Sequence, residues 1–176
     1  MKSKLYNVKE GRTEIKFPFN EEVRTVLHPS FGPGTYEQVG KSILENNLRL
    51  PTAEETAALL HSAYCGPESY KNKFQIQKIR NIMRDKWINV FNRNLWTDRG
   101  VYIIPDKKAK EFSEELNINE LEKILRDAEE LDNGVKYSEG VRFAPKESCK
   151  LGYHSAKELA ENGFVIASYG VNGAKQ

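Results

Sequence analysis

The sequence predicts an α+β fold: one helix-rich domain, 1–176, packed on a small mixed β-sheet that includes hairpins. Three observations carry this reading. Ser/Thr-x-x-Glu/Gln pairs, in which a hydroxyl and a carboxylate or amide satisfy backbone donors reciprocally, occur at Thr35/Gln38, Thr52/Glu55 and Ser155/Glu158 and should open helices. Apolar residues recur at three- and four-residue steps along 76–90, as on one face of a helix. Short alternating runs are punctuated by glycine turns, as in hairpins.

Taken in order, Lys4–Val8 and Thr13–Phe17 read as strands around Glu10-Gly11, with Pro18 ending the pattern. Asn20 is expected to cap a short helix through Leu27, and the loop from His28 to Gly34 stops it. The capping boxes predict helices over Tyr36–Asn46, Ala53–Tyr64 and Ala156–Glu161. Ile76, Ile79, Met83, Trp87 and Val90 predict the longest helix, from about Glu68 to Phe91. Asn94–Trp96 and Val101–Ile104 flank Thr97-Asp98-Arg99-Gly100 as a hairpin. Leu121, Ile124, Leu125 and Leu131 predict a helix over Ile118–Leu131, ended by Asn133-Gly134. Val135–Tyr137 and Val141–Phe143 form a second expected hairpin, and Phe164–Tyr169 reads as a buried strand.

Composition narrows the function classes. The 176 residues are 39% hydrophobic and 30% charged, enough for a core without disulfides. No apolar run approaches the roughly 20 residues of a membrane helix, and Met1–Arg12 lacks the apolar centre of a secretion signal. Two cysteines fit a reducing compartment, so the expectation is a cytoplasmic protein with no membrane partner. The net charge of +2 is small, yet bases crowd 71–110 and acids crowd 111–132.

Two constellations point to chemistry, and they belong to different function classes. His61 and Cys65 lie four apart on an expected helix, and Cys149 and His154 form a second pair across a short loop. Two thiolates and two imidazoles are the ligand types that tetrahedral zinc favours, so zinc is the cofactor these residues imply. The same four residues would serve a cysteine nucleophile activated by a histidine in a small enzyme. The other constellation is a basic helix over about 68–93. Lys73, Arg80 and Arg84 project from one flank, with Arg93 and Trp96 following, a combination suited to RNA or DNA or to an acidic protein partner. Binding is the leading expectation. The glycines at 32–34 and 170–173 are read as turns, since neither matches a phosphate-binding loop. Glu54-Glu55 is read as helix opening after Thr52.

Leu48-Arg49-Leu50-Pro51-Thr52-Ala53-Glu54-Glu55 resembles a segment of formylglycine-generating-enzyme-like and related C-type-lectin-like domains. The likeness spans eight residues, and Thr56 stands where those families often carry tryptophan, so no fold or function is carried over.

Overall fold

A computed structural model describes residues 11–71, 73–85, 88–107, 116–150, 152 and 154–175, with the side chains of Tyr70 and Lys71 set aside. The expected strand Lys4–Val8 and the expected core residue Trp87 lie outside the described residues. The class is α+β. Residues group into two compact units. The first comprises Met1–Pro51, Glu55–Val90 and Lys107–Ala109; the second comprises Thr52–Glu54, Phe91–Asp106 and Lys110–Gln176.

The first unit begins with a hairpin of β1 (Thr13–Phe19) and β2 (Glu22–His28). The expected helix from Asn20 to Leu27 is therefore a turn and a strand. Asn20 adopts φ 53°, a left-handed conformation that asparagine tolerates, and with Glu21 it reverses the chain. Pro18 sits inside β1 opposite Val23, at home in a two-stranded sheet. The alternation of β1 buries Ile15 and Phe17, and Ile15 packs with Val26, Leu59, Leu60, Ala63, Ile76 and Ile79.

Helix α1 (Tyr36–Glu45) opens on the expected capping box, with both limbs formed between Thr35 and Gln38. It closes with Asn47 at φ 58°, Asn47 N–H donating to Leu44 O at 2.9 Å and Leu48 N–H to Ile43 O at 3.3 Å, the paired bonds of a Schellman end. Helix α2 (Ala53–Cys65) follows. The long helix expected from Glu68 to Phe91 is instead α3 (Glu68–Lys71) and α4 (Phe74–Asp85). Within α4, Ile76 and Ile79 are buried as their spacing requires.

The second unit centres on a five-stranded sheet in the order β3 (Asn92–Thr97), β4 (Gly100–Pro105), β7 (Arg142–Pro145), β6 (Lys136–Tyr137), β5 (Glu129–Glu130). Every pairing is antiparallel, so the expected mixed sheet is corrected. Both expected hairpins are present, β3–β4 around Asp98-Arg99 and β6–β7 around Ser138–Gly140. Pro105 and Pro145 oppose Asn92 and Gly100 at positions where no ladder donor is needed. The flanking bonds, Asp106 N–H to Phe91 O at 2.8 Å and Lys146 N–H to Arg99 O at 2.9 Å, set that alternation.

Alternate side chains of the sheet enter two separate cores. On one face Tyr102 and Val141 pack with Leu121 of helix α5 (Ile118–Ile124) and with Leu125 at its C-cap. On the other, Val101, Ile103 and Ala144 pack with Ile166 and Ala167 of helix α7 (Gly163–Ala174). Helix α5 stops well before Leu131, because Leu131 joins the opposite core and Glu129–Glu130 pair as a strand. Asn133-Gly134 is the tip of the β5–β6 hairpin, with Gly134 at φ 76°, rather than a helix end.

Phe164–Tyr169, expected as a strand, is helical. Asn162 caps α7, its Oδ1 accepting from Phe164 N at 3.0 Å and Val165 N at 3.4 Å while Nδ2 donates to Lys150 O at 2.7 Å. The short helix α6 (Ala156–Ala160) precedes it on the expected Ser155/Glu158 box. Asn162→Ala should cost about 2 kcal/mol of unfolding free energy in urea, and Asn162→Asp, which keeps the cap, about half that.

Candidate functional site

The four residues expected to hold zinc divide between the two units. His61 and Cys65 belong to α2 in the first unit, Cys149 and His154 to the second. Among the described residues, no three of His, Cys, Asp or Glu group closely enough to hold a metal ion. His154 Nε2 lies 3.1 Å from Lys150 O, and Cys149 Sγ lies 3.9 Å from Ala144 O, partly buried against the core under α7. Burial pushes the Cys149 thiol up, which keeps it protonated and opposes a nucleophilic role.

The basic residues fare differently from one another. Lys73 lies just before α4, exposed, and its carbonyl accepts the helix's first bonds from Ile76 and Gln77. Arg80 turns back instead of outward. Its Nε donates to Ala63 O at 2.6 Å, its guanidinium lies 5.3 Å above the Tyr64 ring, and Tyr64 Oη donates to Arg80 O at 3.3 Å. Arg80 thus ties α4 to the last turn of α2. Arg84 forks onto its neighbour Asp85 at 2.8 and 3.1 Å, fully in solvent. That hydrogen bond raises the guanidinium's pKa, and such an exposed pair opens readily.

Two aromatic residues on this surface were not singled out by the charge pattern. Phe74 is 67% exposed and carries the Lys78 ammonium 4.5 Å above its ring, an i, i+4 pair on α4. Tyr64, 47% exposed, carries Arg80. A helical wheel finds the first of these: one hundred degrees per residue places Phe74, Lys78 and Arg84 opposite Ile76, Ile79 and Met83. Lys78 also adds to burial in pushing the His28 imidazole down, so the cation's field reaches β2.

Arg93 and Trp96 lie on β3, in the second unit, on opposite faces of the sheet. Trp96 is 53% exposed and tilts onto Phe164 with ring centroids 5.3 Å apart. Arg93 is half-buried, and its Nε and Nη1 are shut from solvent without a hydrogen-bond acceptor.

Glu54 and Glu55, read from sequence as helix opening, are each bound by arginine. Glu55 in the first unit is buried and accepts from Arg49 Nη1 at 2.6 Å, with Arg24 Nε at 3.4 Å. Glu54 in the second unit accepts from Arg142 Nη2 at 2.7 Å and from the Tyr137 hydroxyl. Arg142, 8% exposed, also lies 4.2 Å over the Tyr137 ring and donates to Ala167 O at 3.2 Å. Burial, then the bond to Glu54, pushes the Tyr137 phenol well up, so it remains a donor at any physiological pH. Gly170, at φ 75°, breaks the regular helix of α7 against this carboxylate: a Cβ there would lie 2.8 Å from Glu54 Oε1. The carbonyls of Ala167 and Ser168, just ahead of the kink, take the donors of Arg142 and Asn92. A similar trio joins Arg99, Tyr102 and Glu122 on the other face, with the Tyr102 phenol pushed up to about 12 by burial and by Glu122. Every member of both trios binds another member, which marks them as structural.

No helix of the described residues is long and apolar enough to cross a membrane. Compared with known proteins, the chain matches no family model, no curated protein and no solved structure.

Proposed function

We propose that the first unit binds single-stranded nucleic acid through the outer face of α4 and the end of α2. The observation that supports this is the pairing of exposed rings with cations: Phe74 with Lys78, and Tyr64 with Arg80, flanked by Lys73 and Arg84. Base faces stack on such rings whatever their sequence, and the cations follow the phosphates. Phe74, two-thirds exposed, offers its ring to a base face while Lys78 beside it meets the phosphate. A nucleic-acid strand presents phosphates and flat base faces in alternation along one chain, which matches the alternation of cations and rings here and favours it over an acidic protein surface. Arg80 contributes by holding Tyr64 in place rather than by reaching phosphate, and Asp85 yields Arg84 to the backbone at little cost because that pair is solvated.

The test is fluorescence anisotropy of a labelled single strand of about a dozen nucleotides, titrated at two salt concentrations. Binding should fall in the micromolar range and weaken as salt rises. Converting Lys73, Lys78 and Arg84 together to glutamine should reduce the slope of log K against log salt by about 2. Phe74→Ala should weaken binding by about 1 to 3 kcal/mol with the slope unchanged. Absence of salt-sensitive binding at about 100 μM protein and low salt would sink the proposal.

A further inference from the structure

We propose that the outer edge of β3 is a strand-addition site for an extended, acidic segment of a partner protein. β3 ends the five-stranded sheet, and among the described residues no strand pairs on its outer side. Its register against β4 decides which backbone groups face outward. Phe91, Arg93, Leu95 and Thr97 sit in the hydrogen-bonded pairs with β4, as the Asp106 N–H to Phe91 O bond fixes. Asn92, Asn94 and Trp96 therefore aim their N–H and C=O groups away from β4, and Asn94 and Trp96 are exposed. Six residues of regular pairing with β4, without proline or bulge, form the kind of edge that proteins usually blunt.

The side chains on β3 say which strand would fit. On one face of the sheet stands Arg93, whose Nε and Nη1 have no acceptor. A residue opposite it on an added strand would bring its Cβ within about 5 Å, and a carboxylate there offsets the charge of this half-buried guanidinium, which has no ion pair among the described residues, without reaching the covered Nε and Nη1. On the other face Trp96 exposes half its ring beside Phe164, a platform for an apolar side chain. The matching segment alternates glutamate or aspartate with valine or isoleucine, its acids on the Arg93 face. Main-chain bonds supply affinity, and this alternation supplies selectivity.

The probe is a labelled peptide of sequence Thr-Val-Glu-Val-Glu-Val-Thr, blocked at both ends, titrated against the full chain by anisotropy. It should bind, and the same peptide with lysine for glutamate should bind about ten-fold more weakly or not at all. Two further peptides carry N-methyl groups, one on the valines and one on the glutamates. One of the two should lose binding, because only alternate N–H groups meet the edge, and the other should bind as the parent does. Asn94→Pro removes an outward donor while leaving the ladder to β4 intact, and should abolish binding with the circular dichroism spectrum retained. Arg93→Gln should weaken the parent peptide about ten-fold. If the proline variant does not fold, the methylated pair still decides the matter. Equal binding of both methylated peptides, equal binding of the lysine peptide, or no binding of the parent would overturn the proposal. So would self-association of the chain alone that Asn94→Pro removes, since the edge would then be taken by a second copy.

Discussion

Arg142→Met should lower the unfolding free energy by about 3 kcal/mol, among the largest effects of any side-chain truncation in the second unit. The arginine is buried and serves three acceptors or surfaces at once: the Glu54 carboxylate, the Ala167 carbonyl ahead of the α7 kink, and the Tyr137 ring. Methionine fills much of the volume and supplies none of the donors. Glu54 keeps some contact with solvent and the Tyr137 hydroxyl, which holds the loss near the lower end for a broken buried pair. Arg142→Lys should rescue less than half of it, because a single ammonium cannot reach Glu54 and Ala167 from opposite ends of a fork. Adding Glu54→Gln to Arg142→Met should cost less than the sum of the two single changes, since the carboxylate is no longer left without its cation. Urea denaturation of the parent and the four variants measures this. A loss below about 0.5 kcal/mol for Arg142→Met would show that the arginine is only lightly coupled to its neighbours.

What the sequence revealed follows from the range of the interaction that decides each element. The Thr35/Gln38 and Ser155/Glu158 boxes and the β3–β4 and β6–β7 hairpins are fixed by residues within a few positions of one another, and all four formed. Phe164–Tyr169 failed because an apolar run looks alike in a buried helix and a buried strand. The deciding residue was Asn162, just outside the run. Leu131 fitted the stripe of α5 by spacing, yet it packs in the core on the opposite side of the sheet from Leu121 and Leu125. Only strand pairing settles which face a residue serves. The surface proposed to bind nucleic acid was half legible. A row of charges is local information, and it located α4, whereas the turning back of Arg80 onto Ala63 and the pairing of Glu54 with Arg142 join residues far apart in sequence. Exposed Phe74 lies outside both the apolar stripe and the basic flank of the helix, so neither pattern reaches it.

The second large effect is expected at Gly100, where the hairpin between β3 and β4 meets the end of β7. Its φ of 149° lies at the edge of the range that L side chains rarely adopt. Its missing side chain also makes room for another strand: a Cβ at this position would overlap the Ala144 carbonyl oxygen and stand 2.9 Å from Pro145 Cα and 3.0 Å from Lys146 N. All three are backbone atoms of the chain segment that pairs with β4, and none can swing aside as a flexible side chain would. Gly100→Ala must therefore either separate β4 from β7 or distort the turn at Asp98-Arg99. Separation is the costlier course, because Val101 and Ile103 lie in one core and Tyr102 in the other, so shifting β4 disturbs both. We expect a loss of about 3 kcal/mol or more, enough to leave much of the second unit unfolded at 37 °C. Gly140→Ala is the matched control, in the β6–β7 turn, where a Cβ would meet nothing within 4 Å. It should change stability by less than about 0.5 kcal/mol. Thermal melts of the two variants beside the parent, followed by circular dichroism, decide the question. If Gly100→Ala melts within a degree or two of Gly140→Ala, the close approach of β7 to the hairpin is wrong.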